Sequence, residues 1–403
     1  MYLDTRGEMI CIDCLHISLN RILLLAVGLW PYQQSKLVQV QLGLYITIIT
    51  TFIIFQFTTF LTSKCTPDLF INIFSFVLFQ ASFIIKYACF KININVVKYF
   101  LDQLQNFYNE LTDKNEFIIL QKYGIYAKRY TAASILIFIC AASVPILHPF
   151  WPYFHKILLS INGSQSHPRL LFVTEYFIDQ EKYVYLIILH GYTALLIGTT
   201  TMLATGTIFI VYTQHVCGMF RIVSYRIEQA MTVNTLRKTN LQNKNLIYKK
   251  LINAVYMHRE AMKFADSSVS RFKIMFSLLI ITGVICGILN LLQIFETFTL
   301  GYDCERLIFP CIIMLTYFLY MSLANYTSQN VIDHNNDVFV TVYNIKWYTA
   351  SLKVQKMVLF LLQRGTKVFN LNIAGLFVGS LEGAATLLST GISYFTVLYS
   401  TRN

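Results

Sequence analysis

Apolar residues in this chain fall in long blocks rather than in alternating runs. Seven stretches are nearly free of charge: Leu37–Ser63, Leu69–Ile85, Tyr130–His155, Tyr183–Phe220, Ile274–Phe295, Leu307–Ile332 and Val368–Thr401. A helix needs about 20 mostly apolar residues to cross a bilayer. Six of the stretches reach that length, and the second does so with its flanks. The pattern predicts an all-α, polytopic membrane protein with seven transmembrane helices, at approximately 38–61, 67–88, 131–151, 184–212, 274–296, 307–327 and 370–400. No internal repeat, Gly/Ser linker or low-complexity tract interrupts it, so residues 1–403 read as one domain.

The pattern also reaches beyond the bilayer. The fourth stretch continues through Phe220 into Arg221, Tyr225, Arg226 and Glu228, which predicts a helix that projects out of the membrane. A second helix is expected over Tyr248–Asp266, after the polar connector Thr232–Asn245. In the sixth loop, Asp333–Lys367, the residues Trp347, Leu352, Lys356, Leu359 and Leu362 recur at helical spacing. Three such extensions imply an intracellular helical anchor bundle. Near the start, Ile22–Trp30 is too short to span and reads as a helix in the inner interface, with Arg21 and Trp30 at headgroup depth. Asp4, Glu8 and Asp13 precede it, unlike the basic opening of a cleavable signal peptide.

Charge sets the orientation. Of the 32 Lys and Arg residues, 26 lie in the N-terminal segment and the second, fourth and sixth loops. Basic residues stay on the cytoplasmic side of short loops, so the N-terminus is expected inside and the C-terminus outside. That is the reverse of the metabotropic seven-helix receptors, whose Asp-Arg-Tyr and Asn-Pro-x-x-Tyr motifs are also missing. With 56% apolar and 13% charged residues the chain is not an ordinary soluble domain. Its net charge of +12 sits in loops that would face anionic membrane lipids, which argues against nucleic acid as a partner. A transporter would show repeats or broken helices, and no catalytic set, metal-ligand pattern or cofactor motif occurs. Cys11 and Cys14 form a lone C-x-x-C read as free thiols or palmitoylation sites. Cys65 and Cys304 would both face the exterior and are a candidate pair. Asn162-Gly163-Ser164 is a glycosylation sequon in the outer third loop, whereas Asn325-Tyr326-Thr327 lies at the inner end of the sixth span and is expected unmodified.

An ordered set of short motifs carries a resemblance. Lys353-Val354-Gln355-Lys356 leads to Leu362-Gln363-Arg364, then Leu371-Asn372-Ile373-Ala374-Gly375, Ser380-Leu381-Glu382 and Ser393-Tyr394-Phe395-Thr396-Val397-Leu398-Tyr399-Ser400. Gly28-Leu29-Trp30-Pro31 and His215-Val216-Cys217-Gly218-Met219-Phe220 accompany it. End to end, the chain resembles the insect odorant receptors, and in the last pattern the expanded receptors of ants, bees and wasps. It departs at Lys367-Val368-Phe369, where many members have a proline. Ser393-Tyr394 followed by Tyr399-Ser400 also differs from the ending of the related gustatory channels. The resemblance implies an odorant-tuning subunit of a ligand-gated, non-selective cation channel. Such a channel is a hetero-tetramer with a longer co-receptor subunit, sits in the plasma membrane of olfactory sensory neuron dendrites, and opens on a small apolar odorant or cuticular compound.

The same resemblance implies where function lies. Val397, Ser400 and Thr401 match the family's gate positions, unless they merely end the last helix. Glu382 is the only charge in the expected last span, either a cation-attracting group on the conduction path or an acid hydrogen-bonded to the bundle. Gly375, Gly379 and Gly383 would form one small-residue face of that helix, for packing or for the pore. The ligand pocket is expected among the second, third, fourth and sixth spans. Its candidates are Phe76, Phe79, Phe83, Ser143, Leu147, Trp151, His190, Gly198, Met202, Tyr317 and Tyr320, with His190 and Ser143 as the polar contacts.

Overall fold

In a computed structural model of the chain, the residues described are 2–3, 9–11, 14–33, 35–148, 172–231, 241–300, 305–373, 375 and 377–402. They form α1 (Ser18–Ala26), α2 (Lys36–Phe57), a single turn α3 (Thr59–Thr62), α4 (Pro67–Ile92), α5 (Ile94–Glu110) and α6 (Lys114–Leu147). There follow α7 (Val184–Ala230), α8 (Leu241–Ser270), α9 (Lys273–Leu300), α10 (Glu305–Asn344), α11 (Leu352–Gly365) and α12 (Leu381–Arg402). Two short antiparallel hairpins complete them, β1 (Tyr2–Leu3) with β2 (Met9–Ile10) and β3 (Asn372–Ile373) with β4 (Phe377–Val378).

Local chemistry fixes the helix starts. The Thr66 hydroxyl accepts the Leu69 N–H at 3.2 Å, Pro67 follows in the first turn, and Asp68 and Lys91 complement the helix dipole at the two ends of α4. Ser35 caps α2 in the same way, and the Asp113 carboxylate receives the Asn115 N–H at 2.8 Å at the start of α6. Among the described residues, six helices are long and apolar enough to cross a membrane: Lys36–Thr62, Pro67–Ile92, Lys114–Pro145, Val184–Ala230, Lys273–Thr299 and Arg306–Asn344.

Helix α7 is the axis of the molecule. Its 47 residues span about 70 Å, against roughly 30 Å of hydrocarbon. The N-terminal third packs on Phe52, Phe76, Phe79 and Phe83 of α2 and α4. Its middle meets Leu24, Trp30, Phe90, Phe100 and Phe272. Its C-terminal third forms a bundle with Leu120, Leu251, Met257, Val331 and Val354, that is, with α6, α8, α10 and α11. Polar ties of this bundle include Arg226, donating to both Glu116 carboxylate oxygens at 2.6 and 2.7 Å, and the His258 ring with the Asn335 amide oxygen at 2.9 Å. The helical extensions expected beyond the bilayer are therefore present and packed on one another.

Several expectations are corrected. The last helix begins at Leu381, not at 370. Asn372–Ile373 instead pairs with Phe377–Val378 as β3 and β4: the Asn372 side chain receives the Gly375 N–H at 2.8 Å, and Gly375 holds φ +75°. Ser380 then caps α12 by accepting the Gly383 N–H at 3.0 Å. Gly375 and Gly379 thus lie outside the helix and no four-residue glycine face exists. Glu382 is exposed in the first turn of α12 rather than at mid-span. Helix α6 starts at Lys114, well before 131. The short N-terminal helix is Ser18–Ala26, and Trp30 is buried in the core 5.4 Å from Tyr32. Trp347 lies in a 3-10 turn, Trp347–Thr349, apart from α11. Cys11 and Cys14 are not free thiols but are joined in a disulfide. Cys304 lies outside the described residues; Cys65 is an exposed free thiol.

Candidate ligand-binding site and pore helix

Aromatic side chains from α2, α4, α7 and α10 meet in one cluster. Phe79 packs edge-on against Phe83 at 4.7 Å and Tyr317 at 5.7 Å between ring centroids. Phe76 meets Phe309 at 4.6 Å and Phe52 at 6.1 Å. Offset and edge-to-face arrangements of this kind are the favourable ones for aromatic quadrupoles. Met202 and Tyr320 border the same cluster. Gly198 is needed where it stands, because a Cβ there would overlap the Phe83 ring.

The segment following residue 171 sits on one end of the cluster. The Glu175 N–H donates to the Phe55 carbonyl at 2.8 Å, the Thr58 hydroxyl donates to the Glu175 carbonyl at 2.6 Å, and Tyr176 stacks on Phe55 at 4.1 Å. Phe172 enters the cluster 5.0 Å from Phe52. His190 ties these parts together: Tyr176 donates to Nδ1 at 2.7 Å, and Nε2 lies 3.2 Å from both the Ile48 carbonyl and the Thr51 hydroxyl. That network assigns the proton to Nε2. Burial pushes the Tyr176 phenol above its ordinary pKa, so it stays a neutral donor.

Sequence reasoning missed two buried polar groups here. Lys86, within the second expected span, lies inside α4 at 1% exposure, and its side-chain nitrogen donates to the Tyr320 hydroxyl. Gln80, also 1% exposed, has neither amide atom hydrogen-bonded. The signal available in the sequence was their position: each is polar within an otherwise apolar span.

Helix α12 has two faces of different chemistry. Ala384, Leu387, Gly391, Phe395 and Tyr399, spaced by three or four, form the more buried stripe. Phe395 packs on Ile288 and Leu292 of α9, 4.8 Å from Phe295. Turned away from this stripe, Thr386, Ser389, Thr390, Ser393, Val397, Ser400 and Thr401 are all exposed. Thr390 and Ser393 donate to the carbonyls four residues back at 2.8 and 2.9 Å, and Ser400 to that of Val397 at 2.9 Å. A shallow groove of about 320 Å³ runs along Ser389, Thr390, Ser393, Tyr394 and Val397.

The profile of the family described as 7tm odorant receptor matches residues 66–390. The chain belongs to this odorant receptor family. Its fold is similar to that of the insect olfactory receptor OR5 from Machilis hrabei in complex with eugenol, with TM-score 0.72, 16% identity, and 97% of each chain covered. For the structure of the Machilis hrabei receptor OR5 by itself, the TM-score is 0.70 at 16% identity, covering 96% of this chain and 99% of that one. No curated protein sequence matches. The chain is thus a multi-pass membrane receptor, from a receptor family and not an enzyme family.

Within this odorant receptor the predicted site residues separate. Phe76, Phe79, Phe83, Met202, Tyr317 and Tyr320 come together in or against the aromatic cluster, with Gly198 packed on Phe83 and His190 5.4 Å from Phe52. Ser143 and Leu147 do not join it. Ser143 is half-buried and donates to the Cys140 carbonyl on its own helix, and Leu147 is 54% exposed. Both nitrogens of His190 are already engaged by the protein. Trp151 and Asn162 lie outside the described residues. Val397, Ser400 and Thr401 lie on the hydroxyl-rich face of α12, and Glu382 begins that helix.

Proposed function

We propose that the chain is the odorant-binding subunit of a ligand-gated, non-selective cation channel that assembles with a co-receptor subunit as a hetero-tetramer. Its N-terminus is cytoplasmic, α12 is the seventh span, and α12 lines a pore formed between subunits in the dendritic plasma membrane. The single observation that carries this reading is the uncovered hydroxyl face of α12. A lipid-facing helix gains nothing from a row of Ser and Thr. Because hydroxyl hydrogens on this face are used on the helix's own carbonyls, the oxygen lone pairs point outward, which suits a passing cation. Val397, 58% exposed among them, is an apolar element able to close such a pore by dewetting.

The aromatic cluster is the site of a small, mostly apolar odorant, with Phe76, Phe79, Phe83, Gly198, Met202, Tyr317 and Tyr320 as its wall. The reading is supported by the similarity in fold to the Machilis hrabei receptor OR5 in complex with eugenol. Each methylene buried there contributes about 0.8 kcal/mol, so ligand volume and shape set most of the selectivity. The test is whole-cell current under a panel of volatiles, from cells expressing this chain alone and with the co-receptor. Fast cation current on co-expression, insensitive to G-protein block, is expected. It should be inhibited by a thiol-reactive cation when Ser393→Cys is introduced. A slow response abolished by G-protein block would refute the channel assignment, and full insensitivity of Ser393→Cys would refute α12 as the pore lining.

A further inference from the structure

Lys86 places an ammonium inside a membrane-spanning helix at 1% exposure. It donates to the Tyr320 hydroxyl and its nitrogen lies 3.9 Å from that ring's centroid. An ammonium carries three donors, and among the described residues this hydroxyl is the one hydrogen-bond partner it has. A charge buried in a span is costly without a counter-charge and marks a functional position. Among the described residues no acidic side chain pairs with it. Residues 36–62, 184–220, 274–295 and 307–332 of the surrounding helices contain no Asp or Glu. The one acid of α4, Asp68, lies five turns away along the helix, about 27 Å.

The pair is enclosed and adjoins the aromatic cluster. Phe83 lies one turn before Lys86 on α4, and Tyr320 packs against the cluster that holds Phe79, Phe83 and Met202. Opposite Tyr320, α7 presents Gly206: a Cβ there would lie 3.0 Å from the Tyr320 ring and 3.6 Å from its hydroxyl. The backbone of α7 therefore approaches the Lys86–Tyr320 pair with no side chain between them. The burial of Lys86 also separates it from bilayer headgroups.

We infer that Lys86 and the Tyr320 hydroxyl receive the acid head of a ligand whose apolar body lies against Phe79, Phe83 and Met202, so that the ligand class is a small monocarboxylic acid. This rests on the aromatic cluster being the ligand site. The carboxylate supplies the missing counter-charge, accepts the free donors of the ammonium, and forms charge-assisted hydrogen bonds, which are stronger than neutral ones. An ester or alcohol of the same skeleton fills the same volume without doing so.

The experiment is equilibrium binding to the purified full-length chain of 3-phenylpropanoic acid, its methyl ester and 3-phenylpropanol. The acid is expected to bind about tenfold more tightly than the ester, or about 1.4 kcal/mol. Lys86→Met should bring the acid to within about twofold of the ester. Lys86→Gln, which keeps a donor and removes the charge, should behave as Lys86→Met does and serves where that variant does not fold. Tyr320→Phe should lose part of the acid preference. Equal binding of acid and ester to the unaltered chain would overturn the inference, as would an acid preference that survives Lys86→Met and Lys86→Gln. Because binding is read without conduction, volatile-gated current without any acid preference would sink this inference and leave the channel reading standing.

Discussion

At the scale of single residues, the two helix-packed groups with the clearest consequences are Gly198 and His258. Gly198 faces the Phe83 ring so closely that any side chain displaces it. Gly198→Val should cost about 1–3 kcal/mol by overpacking, seen as a lower melting midpoint of the purified protein, and should shift odorant selectivity toward smaller compounds. His258 is buried in the helical bundle, with Asn335 bonded to its ring and Arg364 nearby. Burial holds its pKa below the ordinary 6.5, the Asn335 hydrogen bond opposing and Arg364 reinforcing that shift. The unfolded chain therefore takes up the proton more readily than the folded one. Stability from this group is complete above about pH 6.5 and is lost as pH falls below it toward the folded value. Melting midpoints at pH 7.5 and 5.5 should show that decline, and His258→Gln should reduce it; an unchanged pH slope in that variant would exclude the role.

At the scale of elements, the connection into α12 decides where the last helix starts. Gly375 occupies the left-handed region at φ +75° and the Asn372 side chain holds its N–H. Gly375→Val should cost about 1–2 kcal/mol through backbone strain alone, since nothing lies within 4 Å of a Cβ there. Ser380→Ala removes the cap of α12 and should cost about 1 kcal/mol. Both are checked by thermal unfolding of the purified chain, and Ser380→Thr should restore what Ser380→Ala loses. These turn signals were legible in Asn372, Gly375 and Ser380, but the apolar count over Val368–Thr401 outweighed them. The result was a span drawn about ten residues too long, and a glycine face that the hairpin breaks up.

At the scale of the whole molecule, α7 couples the aromatic cluster to the bundle over about 70 Å. The Arg226–Glu116 pair ties α7 to α6 at the bundle end, with the Glu116 side chain 7% exposed and that of Arg226 28% exposed. Removing one partner strands the other, so Arg226→Ala should cost about 1–3 kcal/mol, while Arg226→Met with Glu116→Leu should recover part of it. A double variant no more stable than Arg226→Ala would show that the pair is not the unit. Orientation is testable on the same scale. Asn162 should carry a glycan and a C-terminal epitope should be labelled on unpermeabilised cells, as expected if basic loops remain cytoplasmic; a C-terminus reached only after permeabilisation would reverse the topology.

The sequence by itself determined the helical class, the six strongly apolar spans, the helices that outrun the bilayer and the family. Each is a local property: about 20 consecutive side chains fix the free energy of crossing a membrane, and a run of motifs is read one after another. Only the tertiary structure decided which face of each helix turns inward. In lipid the outside of a helix is as apolar as its interior, so periodicity does not separate the two. That is why Phe76, Phe79 and Phe83 come together while Leu147 is exposed, and why Lys86 is enclosed beside Tyr320.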